Sequence, residues 1–165
     1  MASMELNARH HFNASPDRVR TMLTDRDFLA GVCERLGAVA HDVRVEGGPR
    51  TTLAHTSATV DSPGAVRAFV GPTLDIVLEM NWGPAAEDGS ARAPFTMTVP
   101  GAPVTARGVA DLSQDGDGAA VTYTGTLDVA VPLVGGRIEK QIAPEVTSLL
   151  DAQQHLGDEW LLTHP

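Results

Sequence analysis

The chain has 165 residues, of which 42% are hydrophobic and 4% aromatic, and carries a formal net charge of −9. That length fits one domain, residues 1–165, large enough to bury a core without covalent staples. The charge argues against nucleic acid or an anionic membrane as main partner, since phosphate contacts need a basic surface, and no apolar run nears the roughly 20 residues that span a bilayer, so stable membrane insertion is not expected.

Glu5 to Phe12 alternates, with Leu6, Ala8, His10 and Phe12 on one face, as a half-buried strand does. Ser15-Pro16-Asp17 announces a helix: a side-chain cap, a proline suited to the first turn, and an acid at the positive end. Asp25 caps a second helix carrying Phe28, Leu29, Val32, Cys33 and Leu36, which Gly37 stops. Val39, His41, Val43 and Val45 mark a strand that Gly47-Gly48-Pro49 turns into another, Thr51 to Val60. Pro63 to Val70 reads as one or two helical turns. Leu74, Ile76, Leu78, Met80 and Trp82 share one face of the next strand, and Gly83 to Ser90 is a loop. Phe95, Met97 and Val99 mark a further strand. Val104 to Leu112 and Val121 to Val131 form a final hairpin whose inward set is Val121, Tyr123, Leu127, Val129 and Val131.

The end of the chain is the strongest signal. A helix over 137–162 would be about 39 Å long. At 100° per residue, Ile138, Ile142, Val146, Leu149, Gln153, Leu156 and Trp160 fall within an arc of about 80°. Pro144 should bend this helix, and Gly157 should weaken it.

Strand, two short helices, a run of mainly hairpin-connected strands and one long amphipathic helix describe an α+β fold. An antiparallel sheet with its helices on one face buries every apolar stripe. The order of elements and the stretch Phe12-Asn13-Ala14-Ser15-Pro16-Asp17-Arg18-Val19 resemble the opening of START-like (SRPBCC, Bet v 1-like) helix-grip proteins. The segment Val131-Pro132-Leu133-Val134-Gly135-Gly136-Arg137-Ile138-Glu139 and the later Trp160-Leu161-Leu162 look like an uncharacterised bacterial subfamily of that fold. The resemblance covers essentially the full chain. It implies a curved sheet gripping the C-terminal helix over a deep apolar pocket, of the kind in which relatives carry lipids, sterols or polyketides, and a few catalyse cyclisation or hydrolysis.

The expected pocket wall is Phe12, Leu78, Met80, Trp82, Phe95, Met97, Tyr123 and Leu127 from the sheet, with Ile138, Ile142, Val146 and Leu149 from the helix. Each of these side chains also suits plain core. His10, His41 and Tyr123 are the candidate acids or bases, since an inward imidazole can hydrogen-bond a ligand or take a proton. The ordinary alternative is a histidine satisfied by backbone or water. Adjacent His10 and His11 point to opposite faces and cannot share a metal; no metal site is expected. Asp115-Gly116-Asp117-Gly118 lacks the next calcium ligand and reads as a hairpin turn. Cys33, the only cysteine, sits on an apolar helix stripe where an inert thiol is expected. A lone cysteine and an N-terminus without a signal-like apolar core point to the cytoplasm.

The expected function is therefore the binding, carriage or sensing of a small hydrophobic ligand, lipid, isoprenoid or polyketide-like, without a cofactor. Two alternatives stand beside it: a cyclase or dehydratase acting on such a ligand, and an interaction module whose cavity is filled by side chains.

Overall fold

The computed structural model describes residues 2–47, 50–62, 64, 67–130 and 135–164; in the last stretch the side chains described are those of residues 140, 144 and 147–164. Strand β1 (Ala2–Phe12) leads into helices α1 (Pro16–Leu23) and α2 (Arg26–Arg35). The hairpin β2 (Ala40–Gly47) and β3 (Thr52–Asp61) follows, then the short α3 (Arg67–Val70), β4 (Thr73–Trp82), β5 (Ala91–Thr98), β6 (Val104–Asp115), β7 (Gly118–Val129) and the long α4 (Gly135–Thr163). The strands form one antiparallel sheet in the order β1-β7-β6-β5-β4-β3-β2. It curves around the helices, which is the helix-grip arrangement.

The local signals act where they stand in the chain. Ser15 caps α1 by accepting from the Arg18 amide, and Asp25 caps α2 by accepting from the Phe28 amide at 2.8 Å. Gly37 takes a positive φ of 80° at the end of α2, a conformation that costs glycine nothing. The strand at Phe95 starts earlier than its apolar alternation suggests, at Ala91. Its Pro94 pairs with Val109 of β6, whereas the ladder to β4 begins only at Phe95. Proline has no N–H to give, so that ladder is interrupted at Pro94, and the Gly83 amide donates to the Arg92 carbonyl at 2.9 Å beyond it.

Two apolar clusters fill the grip. The larger packs Phe12, Val19, Met22, Phe28, Trp82, Leu112 and Val121 beneath the helices, with Leu156 and Trp160 of α4 against it. The smaller lies at the other end of the sheet around Leu74, Val99, Val104, Leu127 and Val129. Gly157, a poor helix former, has a packing role as well. A Cβ on Gly157 would lie 2.4 Å from Phe12 Cε1 and 3.1 Å from Met22 Cε, so the missing side chain lets α4 press onto the end of β1. Pro144 lies within α4 and is exposed. The other end of α4 is tied to α1, because the Arg18 guanidinium donates to the carbonyls of Leu161 and His164.

Candidate functional site

Between the two clusters the concave face meets α4 across a small apolar cavity. Ile76, Leu78 and Met80 of β4, Phe95 and Met97 of β5, and Ala106 of β6 form its floor. Leu6 and Ala8 of β1 and Tyr123 of β7 close one side, while Leu149, Leu150 and Gln153 of α4 form the roof. Small residues create this space. Ala54, Ala58, Ala93, Ala106 and Ala110 are all buried, and Gly108 and Gly125 face each other across β6 and β7. A Cβ on Gly108 would fall 2.9 Å from Phe95 Cζ and 2.2 Å from the Thr124 carbonyl oxygen, so that glycine pair is what lets the Phe95 ring lie down on the sheet.

The cavity amounts to about 70 Å³, roughly half of an engineered apolar cavity that takes up benzene. The walls are nevertheless not sealed. Ile76, Leu78, Phe95, Met97, Leu149 and Leu150 stay only half-buried, and among the described residues no charged side chain lines the cavity.

Among the described residues, the buried polar content of the wall is one pair. The Tyr123 hydroxyl donates to Gln153 Oε1 at 2.8 Å, with both side chains buried. Burial drives the phenol far above its usual range, against the opposing pull of that hydrogen bond, so it stays a donor. The Tyr123 ring lies edge-on to His10, centroids 5.5 Å apart, and to Phe95, 6.3 Å apart. His10 is 5% exposed and its Nδ1 has no partner. Burial lowers its pKa, with Asp151 and Asp158 of α4 partly opposing, so the imidazole is held neutral.

Of the residues singled out in the sequence, Leu78, Met80, Phe95, Met97, Tyr123 and Leu149 meet at this cavity. Phe12, Trp82 and Leu127 share the concave face but do not reach the cavity. Phe12 is clamped under Gly157. Trp82 stands at the end of β4 with the Arg20 guanidinium 5.9 Å above its ring, and Leu127 is sealed in the smaller cluster. The side chains of Ile138, Ile142 and Val146 lie outside the described residues.

His41 shares the inward phase of Val43 but is exposed. Its strand β2 is an outer strand of the sheet, covered by α2 and the turn before it rather than by α4. There His41 borders an open depression of about 630 Å³ with Asp25, Asp27 and Asp42, which lacks the enclosure a ligand site needs. Of the three candidate acids or bases, His10 and Tyr123 stand side by side, and of these Tyr123 alone reaches the cavity. Cys33 is buried, and burial pushes its thiol up, as for an inert sulfur. Among the described residues no group of three or more His, Cys, Asp or Glu side chains could hold a metal ion.

Gln153 is the site residue that sequence reasoning did not select, although it stands in phase with Leu149 and Leu156. Leu6, Ala8, Ile76, Ala106 and Leu150 also line the cavity.

With this geometry in view, the family model described as "Protein of unknown function (DUF2505)" matches residues 7–161. The chain belongs to this family. The DUF2505 chain is 31% identical over 101 residues to an uncharacterised protein of Mycobacterium tuberculosis, a match that covers 60% of this chain and 58% of that one. Among solved structures, an aromatase/cyclase from Streptomyces superposes with a TM-score of 0.61 at 13% identity, covering 94% of this chain and 92% of that one. A STAR-related lipid transfer protein from Xanthomonas axonopodis gives a TM-score of 0.55 at 18% identity, covering 92% of this chain and 85% of that one. At such identities these likenesses show a shared helix-grip fold.

Proposed function

We propose that this DUF2505 protein binds one small apolar molecule between the concave sheet and α4, as a carrier or sensor. One observation carries the reading: an uncharged wall of Ile, Leu, Met and Phe side chains that the chain leaves only half-buried. A core filled by its own side chains would remove that apolar surface from water, at about 25 cal/mol per Å². The two structural relatives, a lipid transfer protein and an aromatase/cyclase, agree with an apolar cargo. The cavity volume of about 70 Å³ means that uptake widens the slot. Met80 and Met97, with flexible unbranched side chains, are suited to that, and α4 is the element whose displacement would enlarge it most.

No helix among the described residues is long and apolar enough to cross a membrane. The single cysteine, Cys33, buried and outside any disulfide, supports a carrier working in the cytoplasm. Native mass spectrometry of the purified protein, with and without incubation in n-hexane or 2-hexanone, tests the proposal. A one-to-one adduct is expected, and Leu78→Asp should abolish it by placing a carboxylate in the cavity floor. Absence of any adduct in the wild type, or an undiminished adduct in a folded Leu78→Asp variant, would overturn the reading.

A further inference from the structure

Tyr123 and Gln153 bring two hydrogen-bonding side chains to the cavity, and the single bond between them uses only part of their capacity. A glutamine amide offers two donors as well as its acceptor oxygen, and a phenol oxygen can accept as well as donate. Among the described residues no partner engages the Gln153 amide nitrogen. Nor does it belong to the sealed polar atoms left without one, which are His10 Nδ1, Ser62 Oγ and Trp82 Nε1. The amide nitrogen therefore keeps unused donor capacity on a residue that borders the cavity. Asn7 also touches the cavity, but from the outward phase of β1, and it is exposed.

The electrostatics around the pair narrow its ligand further. Among the described residues no Lys or Arg lines the cavity. The imidazole beside Tyr123 is neutral, and the charges that act on it are the carboxylates of Asp151 and Asp158. A carboxylate brought into this slot would give up its water, meet no cation and feel both aspartates. A neutral oxygen would exchange water for the amide N–H at little cost.

We infer that the cavity selects a neutral molecule with an apolar body and one oxygen, a ketone, ester or alcohol, held at the Tyr123–Gln153 pair, and rejects carboxylates. The inference rests on the container reading above and names the chemistry of its cargo. Dissociation constants for n-hexane, 2-hexanone, 1-hexanol and hexanoate at pH 7.5, measured by ligand-observed NMR, test it against the double variant Tyr123→Phe/Gln153→Leu. That variant replaces both partners by apolar groups of similar shape, which leaves neither one unpaired.

In the wild type, hexanoate should bind at least about a hundredfold more weakly than 2-hexanone, which corresponds to leaving one charge without a partner. In the double variant, the affinity of 2-hexanone relative to n-hexane should fall about tenfold, the worth of one hydrogen bond. Should the double variant fail to fold in a thermal melt, Tyr123→Phe alone is expected to lower the same ratio about threefold. An unchanged ratio in a folded variant, or hexanoate binding as tightly as 2-hexanone, would overturn this inference and leave the container standing. Binding of none of the four probes would overturn both.

Discussion

His10 and Tyr123 are buried side by side, and desolvation acts on them in opposite directions, lowering the imidazole pKa and raising that of the phenol. Both are thereby kept uncharged under α4. For His10 the consequence for stability has a definite sign. Its ordinary pKa of 6.5 is depressed in the folded chain, so below that pH the unfolded chain binds the extra proton first. The stability His10 allows is full above pH 6.5 and is lost as pH falls through 6.5 towards the lower folded value. The urea midpoint should therefore drop between pH 7.5 and 5.5, and His10→Phe should make that drop smaller. Equal drops in both proteins would contradict the assignment.

His10 and His41 look alike in the sequence, each in the inward phase of its strand. What separates them is that α4 covers β1 while β2 faces α2 and an open depression, and no local pattern encodes that. Gln153 was legible as a polar residue in an apolar stripe. Its pairing with Tyr123, thirty positions away, is a property of the fold.

At the scale of elements, two helical glycines separate propensity from packing. Gly31 lies inside α2, where an added Cβ finds only Leu156 Cδ1 at 4.0 Å. Gly31→Ala should therefore stabilise the protein by up to about 1 kcal/mol. Gly157→Ala has the same helical gain, but its Cβ would sit 2.4 Å from Phe12 Cε1. Overpacking of about 1–3 kcal/mol then wins, and the variant should be less stable than wild type. Urea denaturation of both variants decides the matter. Stabilisation by Gly157→Ala would mean that α4 does not press on β1 there. Helix starts were legible because Ser15 and Asp25 act on their own neighbours. The start of β5 was not, because Ala91, Ala93 and Pro94 carry little strand signal of their own, and their pairing with β6 is a property of the sheet.

For the whole molecule, the order of elements and their amphipathic phases were enough to predict a curved antiparallel sheet around a C-terminal helix. Strand phase also located much of the cavity wall, since inward residues are inward wherever the cavity falls. It did not say how far along the concave face the cavity extends. The large ends of that face, Phe12, Trp82 and Leu127, are closed by packing, and only its middle, made shallow by alanines and the Gly108–Gly125 pair, stays open. The size of side chains contributed by strands far apart in sequence sets that boundary.

The central claim, that this open middle receives an apolar molecule, is tested most directly by methyl NMR of the five methionines during titration with n-hexane and 2-hexanone. Met80 and Met97 line the cavity, whereas Met22, on the buried face of α1, is sealed in the larger cluster. The account predicts saturable shifts of the Met80 and Met97 methyls that level off at one equivalent bound, with Met22 unmoved. Shifts absent with both probes, or growing linearly without saturation, would contradict it.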